Sequence, residues 1–363
     1  MKIAVDLRMS GKSGIGAFLD NMLPTLKAGA EVVEIKPAIK PFSLKEMFFF
    51  PREEIKKINA CDAYFSPYCN VPGRLFGRGI KVPTFTTIHD VIFLDLPLAG
   101  RLGTAARKVI YQRAINKSRA VFTVSEFSKS RILARLKCKK PIYVVHNGVP
   151  LYNEEAAGTG QKVQKTQTII FVGNIKAHKG LKTLVPAFVK ARKILAEQGA
   201  ADENRTQAQE APRLADGLPK LLIVGSKENF RTSDTELDAL MKDAQKNGVE
   251  FTGFVPDETL KTLIAQARLL VQPSLYEGFG IPPLQALYSG TRAVISDIPV
   301  FKEIYARLPV TFFRAGDADD LAAKIVLAYA EKRALPPVER IYSYKKSAQA
   351  LLKIMEDSIK MKK

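Results

Sequence analysis

The sequence predicts an α/β chain of two domains, each built on a parallel sheet. Three observations carry that expectation. Short apolar runs alternate with helix-length amphipathic stretches along most of the 363 residues. The runs are continuous and rich in β-branched residues instead of alternating apolar with polar, as expected of strands covered on both faces. Between Val149 and Gln167 the composition turns polar and rich in Gly, Thr and Gln, which divides the chain into two lengths that can each bury a core.

In chain order, the expected strands of the first half are Lys2–Asp6, Pro83–Ile88, Ala120–Val124 and Pro141–Val145. Those of the second half are Thr168–Val172, Lys220–Val224, Val249–Phe251, Leu269–Val271 and Ala293–Ile295. The resulting domains are residues 1–150 and 167–335, joined by a linker over 151–166 and followed by a helical tail at 336–363. The Ala/Gln/Glu-rich stretch 197–217 reads as a surface loop between a helix and the strand at Leu221.

Composition narrows the function classes. Apolar residues make up 46% and charged residues 25%, so the chain is neither disordered nor fibrous. No apolar stretch approaches the ~20 residues of a membrane span, and Met1–Asp6 enters a strand directly, without a secretory leader. Three cysteines, Cys61, Cys69 and Cys138, stand at no metal-like spacing and fit a reducing compartment. A disulfide scaffold and an integral membrane protein are thereby excluded, and the expected location is the cytoplasm. The formal charge is +20, concentrated over 101–140, where Glu126 is the sole acid. Over 42–57, Phe42 and Met47-Phe48-Phe49-Phe50 precede Arg52, Lys56 and Lys57. Both segments are candidates for an anionic membrane surface at the inner face of the plasma membrane.

In open parallel sheets, ligands bind beyond the carboxyl ends of the strands. All three histidines follow strand-like runs at that edge: His89, His146 and His178. Ser13-Gly14-Ile15-Gly16 follows the first strand as a glycine-rich turn ahead of a helix at 17–26, its amides placed to face an anion. Two familiar phosphate motifs fail there: the dinucleotide fingerprint needs glycine where Leu19 stands, and the P-loop needs it where Asp6 stands. The densest segment, 273–286, reads Pro-Ser-Leu-Tyr-Glu-Gly-Phe-Gly-Ile-Pro-Pro-Leu-Gln-Ala. Its prolines suit a helix start near Pro282 or Pro283. Gly278 and Gly280 permit close backbone approach to a ligand, and Glu277 is an acid held just ahead of the helix.

Glu277 through Gln285 resembles the signature of the family-4 retaining, nucleotide-sugar-dependent glycosyltransferases. The resemblance runs through Val172–Gly180 (the diphosphate turn), Thr87–Asp90 (a His-Asp element), Val124–Ser128, Val145–Val149 and Phe251–Pro256 (the nucleobase loop). It implies the GT-B fold, two Rossmann-like parallel-sheet domains facing a central cleft. It also implies transfer of a hexose such as rhamnose or mannose from a dTDP-, GDP- or UDP-linked donor to a growing surface glycan or lipid-linked acceptor. By the same resemblance, Glu277 holds the donor sugar's hydroxyls beside the amides of Phe279 and Gly280, Lys179 meets the diphosphate, and Gly14 and Gly16 close over it. His89, with Asp90 next to it, stands at the reacting centre, and Gly253, Phe254 and Val255 hold the base. No metal and no cofactor is expected.

Two departures from the family pattern stand out. Gln285 occupies the place of the second acid, and an amide holds a ribose 2′,3′-diol less strongly than a carboxylate, which favours a deoxyribose donor such as a dTDP-sugar. Asn174 follows Gly173 where the family often has arginine nearby, so Lys176 is the candidate second cation. Two alternatives are weighed: a GT-B epimerase or phosphorylase-like enzyme, whose own acids or cofactor lysine are not found, and a basic nucleic-acid-binding protein, for which no reader motif is found.

Overall fold

The computed structural model describes residues 1–11, 13–77, 79–96, 98, 100–149, 163–203, 217–225 and 244–361. The expected linker lies mostly outside the described residues. The chain forms two compact units, residues 1–152 with 341–363, and residues 153–340.

The first unit holds six parallel strands, β1 (Lys2–Asp6), β2 (Glu31–Ile35), β3 (Ala63–Ser66), β4 (Thr84–Thr87), β5 (Ala120–Thr123) and β6 (Ile142–Val144), in the order β2-β1-β3-β4-β5-β6. Every residue of β3, β4 and β5 is buried, because helices cover both faces of a parallel sheet. These helices are α1 (Ser13–Gly29), α2 (Leu44–Phe48), α3 (Arg52–Asn59), α4 (Ile92–Asp95), α5 (Gly100–Lys117) and α6 (Glu126–Arg135).

Helix α1 corrects one expectation. It begins at Ser13, so Gly14 and Gly16 lie in its first turn and not in a loop ahead of it. The glycine at 16 is required by space: a Cβ there would stand 2.3 Å from the Met9 carbonyl oxygen. Gly14 has open space around it.

A buried ionic network ties the sheet edge to α2. The Arg8 Nη2 donates to Asp6 Oδ2 at 2.5 Å, Glu46 Oε1 at 2.7 Å and the Tyr68 hydroxyl at 2.6 Å. Tyr64 donates to Asp6 at 2.6 Å, and Tyr68 and Asn70 donate to Glu46 at 2.6 and 2.7 Å. All of these side chains are buried. Burial opposes the Arg8 charge, but its hydrogen bond to Asp6 and the charge of Asp6 outweigh that, and its pKa rises. Burial and then Asp6 push the Tyr64 and Tyr68 hydroxyls well above their ordinary value, so both stay neutral donors.

The second unit holds β7 (Thr168–Val172), β8 (Lys220–Val224), β9 (Val249–Gly253), β10 (Leu269–Gln272), β11 (Arg292–Ser296) and β12 (Thr311–Phe313), all parallel, in the order β12-β11-β10-β7-β8-β9. Its helices include α7 (Leu181–Glu203), α8 (Asp257–Gln266), α9 (Pro282–Tyr288), α10 (Pro299–Ile304) and α11 (Ala318–Ala330). Ile169, Phe171, Leu184, Phe188, Leu321 and Ile325 meet in its core. Helix α7 runs on to Glu203, past the point at which the loop over 197–217 was expected to begin; residues 204–216 lie outside the described residues.

The last helix, α12 (Tyr344–Lys360), packs on the first unit and is no free tail. Tyr344, Ala348, Leu351 and Met355 join Phe18, Leu19, Met22 and Leu26 of α1 in one core. Their spacing puts them on one helical face. Gly148 permits the contact, since a Cβ there would lie 2.0 Å from the Tyr344 nitrogen.

Candidate active site

Two loops leave neighbouring strands of the second unit and are stitched together. After β7 the chain passes Gly173, exposed Asn174 and exposed Lys176, then a 3-10 turn, Ala177–Lys179, that ends on Gly180 at φ 74°. After β10 it passes Pro273 and Ser274 to Glu277 and the start of α9 at Pro282. The Leu275 N–H donates to the His178 carbonyl at 2.8 Å. Gly180 lies so close that a Cβ would come within 1.9 Å of the Pro273 carbonyl oxygen, so only glycine fits, for space and for φ alike.

This stitching brings together two side chains 98 residues apart. Lys179 Nζ donates to Glu277 Oε1 at 2.6 Å, with the side chains only 19% and 12% exposed. The same carboxylate oxygen accepts from the Ser274 hydroxyl at 2.7 Å, and Ser274 in turn accepts from Gln272 Nε2 at 3.0 Å. Ser296 Oγ, on the neighbouring strand β11, donates to the Ser274 carbonyl. The sequence reading missed Ser274, Gln272 and Ser296. The first carried a local signal, a serine three residues before the acid; the other two are the final residues of β10 and β11, where strand ends face the site.

Gly280 sits at φ 86°, and a Cβ there would come within 2.3 Å of the Phe301 ring. Its carbonyl accepts from Tyr305. The Phe279 side chain is core, which leaves its backbone as the part that can meet a ligand. Gln285 lies on α9, half-buried, its N–H bonded to the Ile281 carbonyl at 3.1 Å. Gly253, Phe254 and Val255 leave β9, two places from β7 in the sheet, and Phe254 is 80% exposed.

His89 and Asp90 belong to the first unit, past the end of β4. His89 Nε2 lies 2.9 Å from the Pro67 carbonyl, and its ring meets Phe18 of α1 edge-on at 4.9 Å between centroids. Asp90 Oδ1 accepts from the Ile92 N–H at 3.0 Å and so caps the turn into α4. His146 packs its ring against Tyr342, and its carbonyl accepts from Ser347 at 2.6 Å. It fastens α12 and is occupied structurally. Among the described residues, no group of three or more His, Cys, Asp and Glu is placed to hold a metal ion.

Burial lowers the pKa of His89 to about 4. Burial, then the nearby Lys179 charge, lowers that of His178 to about 4 as well. Both folded values lie below the unfolded value of about 6.5, so the unfolded chain binds protons first on acidification. Stability is complete above about pH 6.5 and falls as pH drops toward 4, each histidine contributing up to about 1.4 kcal/mol per pH unit within that window. Urea midpoints at pH 7 and 5 should therefore differ, and His89→Gln should flatten the dependence. A midpoint that does not move over this range would contradict the placement of both rings.

Two six-stranded parallel sheets in two α/β units define the class of the chain as GT-B. Residues 153–349 match the family of glycosyl transferases group 1, and residues 30–152 match glycosyltransferase family 4. The chain belongs to the group 1 glycosyl transferases. It is 26% identical over 297 residues to an uncharacterized glycosyltransferase of Methanocaldococcus jannaschii, covering 76% of this chain and 69% of that one. It is 28% identical over 220 residues to the O-antigen chain mannosyltransferase RfbU of Salmonella typhimurium, covering 60% of this chain and 53% of that one. The matched region is thus about half to two thirds of those relatives' lengths. Among solved structures, Anabaena HepE, in complex with UDP and glucose, superposes with a TM-score of 0.61 at 15% identity, over 99% of this chain and 98% of that one. That likeness concerns the fold.

Proposed function

We propose that this chain transfers a hexose, with mannose the leading candidate, from a nucleoside-diphosphate sugar to a growing surface glycan or lipid-linked oligosaccharide, with retention at the anomeric carbon and without a metal ion. The observation that carries this reading is the Lys179–Glu277 pair, joined at 2.6 Å at the carboxyl ends of adjacent strands. A partly buried ammonium beside a carboxylate suits a ligand with a negative end and a hydroxyl-rich end. Lys179 turns from Glu277 to the diphosphate, and the carboxylate so released accepts hydrogen bonds from the sugar. Lys176, exposed three residues earlier, adds positive charge.

In the proposed reaction, the bond from the anomeric carbon to the diphosphate oxygen breaks while the acceptor oxygen bonds the same face. The leaving phosphate oxygen takes the acceptor's proton. Lys179 then stabilises charge that grows on the leaving group, an interaction stronger in the transition state than before it. His89, with its pKa near 4, is neutral at pH 7 and serves as a hydrogen-bond partner for the sugar and not as a cation. Mannose is favoured by the Salmonella relative, named a mannosyltransferase, whereas Gln285 in place of an acid favours a deoxyribose nucleotide.

The test is a donor panel, GDP-mannose, dTDP-rhamnose and UDP-glucose, each incubated with the chain and a lipid-linked oligosaccharide acceptor. Transfer from one donor, undiminished by EDTA, is expected. No transfer from any donor, or transfer that EDTA abolishes, would refute the reading.

A further inference from the structure

We infer that the first unit carries a docking surface for the interface of an anionic lipid bilayer, built from two segments distant in sequence. Phe49 and Arg74 pair antiparallel. Around that pair the Leu75 N–H donates to the Phe48 carbonyl at 2.7 Å, Phe50 N–H to the Gly73 carbonyl at 3.0 Å, and Gly73 N–H to the Glu46 carbonyl at 3.0 Å. The ribbon so formed displays Phe42, Leu44, Phe48, Phe49, Leu75 and Phe76 to solvent, with Leu44 71%, Phe49 60% and Phe76 74% exposed. Six large apolar side chains left exposed on two paired segments form an apolar knob that marks a site of contact.

The run Met47-Phe48-Phe49-Phe50 divides in two. Met47 and Phe50 are buried and anchor the ribbon, whereas Phe48 and Phe49 face outward. The anchor is stiff. Glu46 accepts the Phe42 N–H at 2.7 Å while it is held by Arg8, Tyr68 and Asn70. Phe42 keeps φ at 61°, a left-handed conformation that costs a bulky residue energy and persists only where its surroundings enforce it. Its ring meets Tyr68 at 5.0 Å between centroids and stays partly exposed.

The charges around the knob select its partner. Lys40, Lys45 and Arg52 are exposed, and none forms an ion pair among the described residues. Lys56 and Lys57 are already matched by Glu53 and Glu54, at 2.9 and 2.7 Å, and Glu46 is consumed inside. Arg113 fastens α5 to the same ribbon by donating to the Val71 and Met47 carbonyls. Helix α5 has exposed Arg101 and Lys108 and contains no acid. Aromatic and leucine side chains that reach beyond unmatched cations fit a bilayer interface, where the apolar groups enter at the acyl boundary and the cations meet lipid phosphates. The meaning for function rests on the reading of a lipid-linked acceptor. The surface itself does not, and its test needs no transfer reaction.

The full chain is to be sedimented with vesicles of phosphatidylcholine alone and of phosphatidylcholine with phosphatidylglycerol. Binding to the anionic vesicles only is expected, weakening as salt rises. The Phe49→Ser/Phe76→Ser variant should bind at least about tenfold more weakly, and Lys45→Glu/Arg52→Glu should lose the preference for anionic lipid. All four positions are exposed, so thermal unfolding and stabilisation by a nucleoside diphosphate should stay as in the unaltered chain; this separates loss of docking from loss of the donor site. Absence of binding to anionic vesicles, equal binding by the serine variant, or a concentration-dependent dimer that the serine variant abolishes would each overturn the proposal, the last assigning the knob to a second copy of the chain.

Discussion

Lys179→Ala is expected to lower the rate of sugar transfer by about 10²–10³-fold at saturating donor and acceptor, the range found when one preorganised group facing developing charge is removed. Lys179 is the cation that the fold carries to Glu277, at 2.6 Å, from the neighbouring loop. Glu277 would keep its bond from Ser274, at 2.7 Å, and the Leu275 N–H would still join the two loops at the His178 carbonyl, so the loss should fall on catalysis more than on stability. Lys179→Arg keeps the charge but exchanges a compact ammonium for a planar fork, and should recover only part of the rate. Lys176→Ala removes an exposed cation and should cost about tenfold or less. Initial rates for the three variants, measured with the donor selected from the panel, check this order. Equal losses at 176 and 179 would mean that the paired geometry has no special role.

The second large effect falls on stability. Arg8→Met keeps bulk but removes the cation that pairs with both Asp6 and Glu46, which are fully buried. Two carboxylates would then face each other inside the first unit, held by tyrosine and asparagine side chains and by the backbone N–H groups of residues 8 and 42, with their pairing cation gone. Breaking such a buried pair costs about 3–5 kcal/mol, a large share of the roughly 5–15 kcal/mol that holds a domain. A urea midpoint far below that of the unaltered chain is expected, and Arg8→Met/Glu46→Gln should regain part of it. If Arg8→Met yields no folded protein, Tyr68→Phe removes one donor from the same network and should cost about 1–2 kcal/mol. A change below about 0.5 kcal/mol for both variants would show that the network carries no stability.

Several of the strands legible in the sequence are continuous apolar runs. Thr168–Val172 and Lys220–Val224 are continuous apolar runs because neighbours cover them above and below. Strand β2, Glu-Val-Val-Glu-Ile, was not read, because it is an edge strand that exposes Glu31 and Glu34 and so breaks the run. Strand β3, Ala63–Ser66, was not read either, although every one of its residues is buried. The start of α1 was misplaced because glycine is a poor helix former; what puts Gly16 in the helix is the nearness of the Met9 carbonyl, a tertiary fact. For α12 the apolar spacing of Tyr344, Ala348, Leu351 and Met355 announces a buried face but not its partner, which is α1 more than 300 positions earlier.

The site divides in the same way. Glu277 with its glycines and the following prolines is a local pattern, and the helix start at Pro282 is where proline chemistry puts it. That Lys179 would meet Glu277 is not local. It depends on β7 and β10 being neighbours and on a glycine at 180 that lets one loop touch the other. Likewise, no pattern in Met47–Phe50 says which side chains turn inward. The Ser43 cap, which accepts the Glu46 N–H at 3.2 Å, and the buried Glu46 network set that direction.

In the proposed reading, the second unit binds a nucleoside diphosphate through Lys179. Thermal unfolding of the chain with GDP, UDP or dTDP, with ATP and NAD as controls, measures it most directly. One of the three diphosphates, at about 100 times its dissociation constant, is expected to add about 2.7 kcal/mol to stability, and Lys179→Ala is expected to lose that gain, with dTDP as the winner if Gln285 sets the nucleotide. No stabilisation by any diphosphate, or an equal shift in Lys179→Ala, would contradict the account.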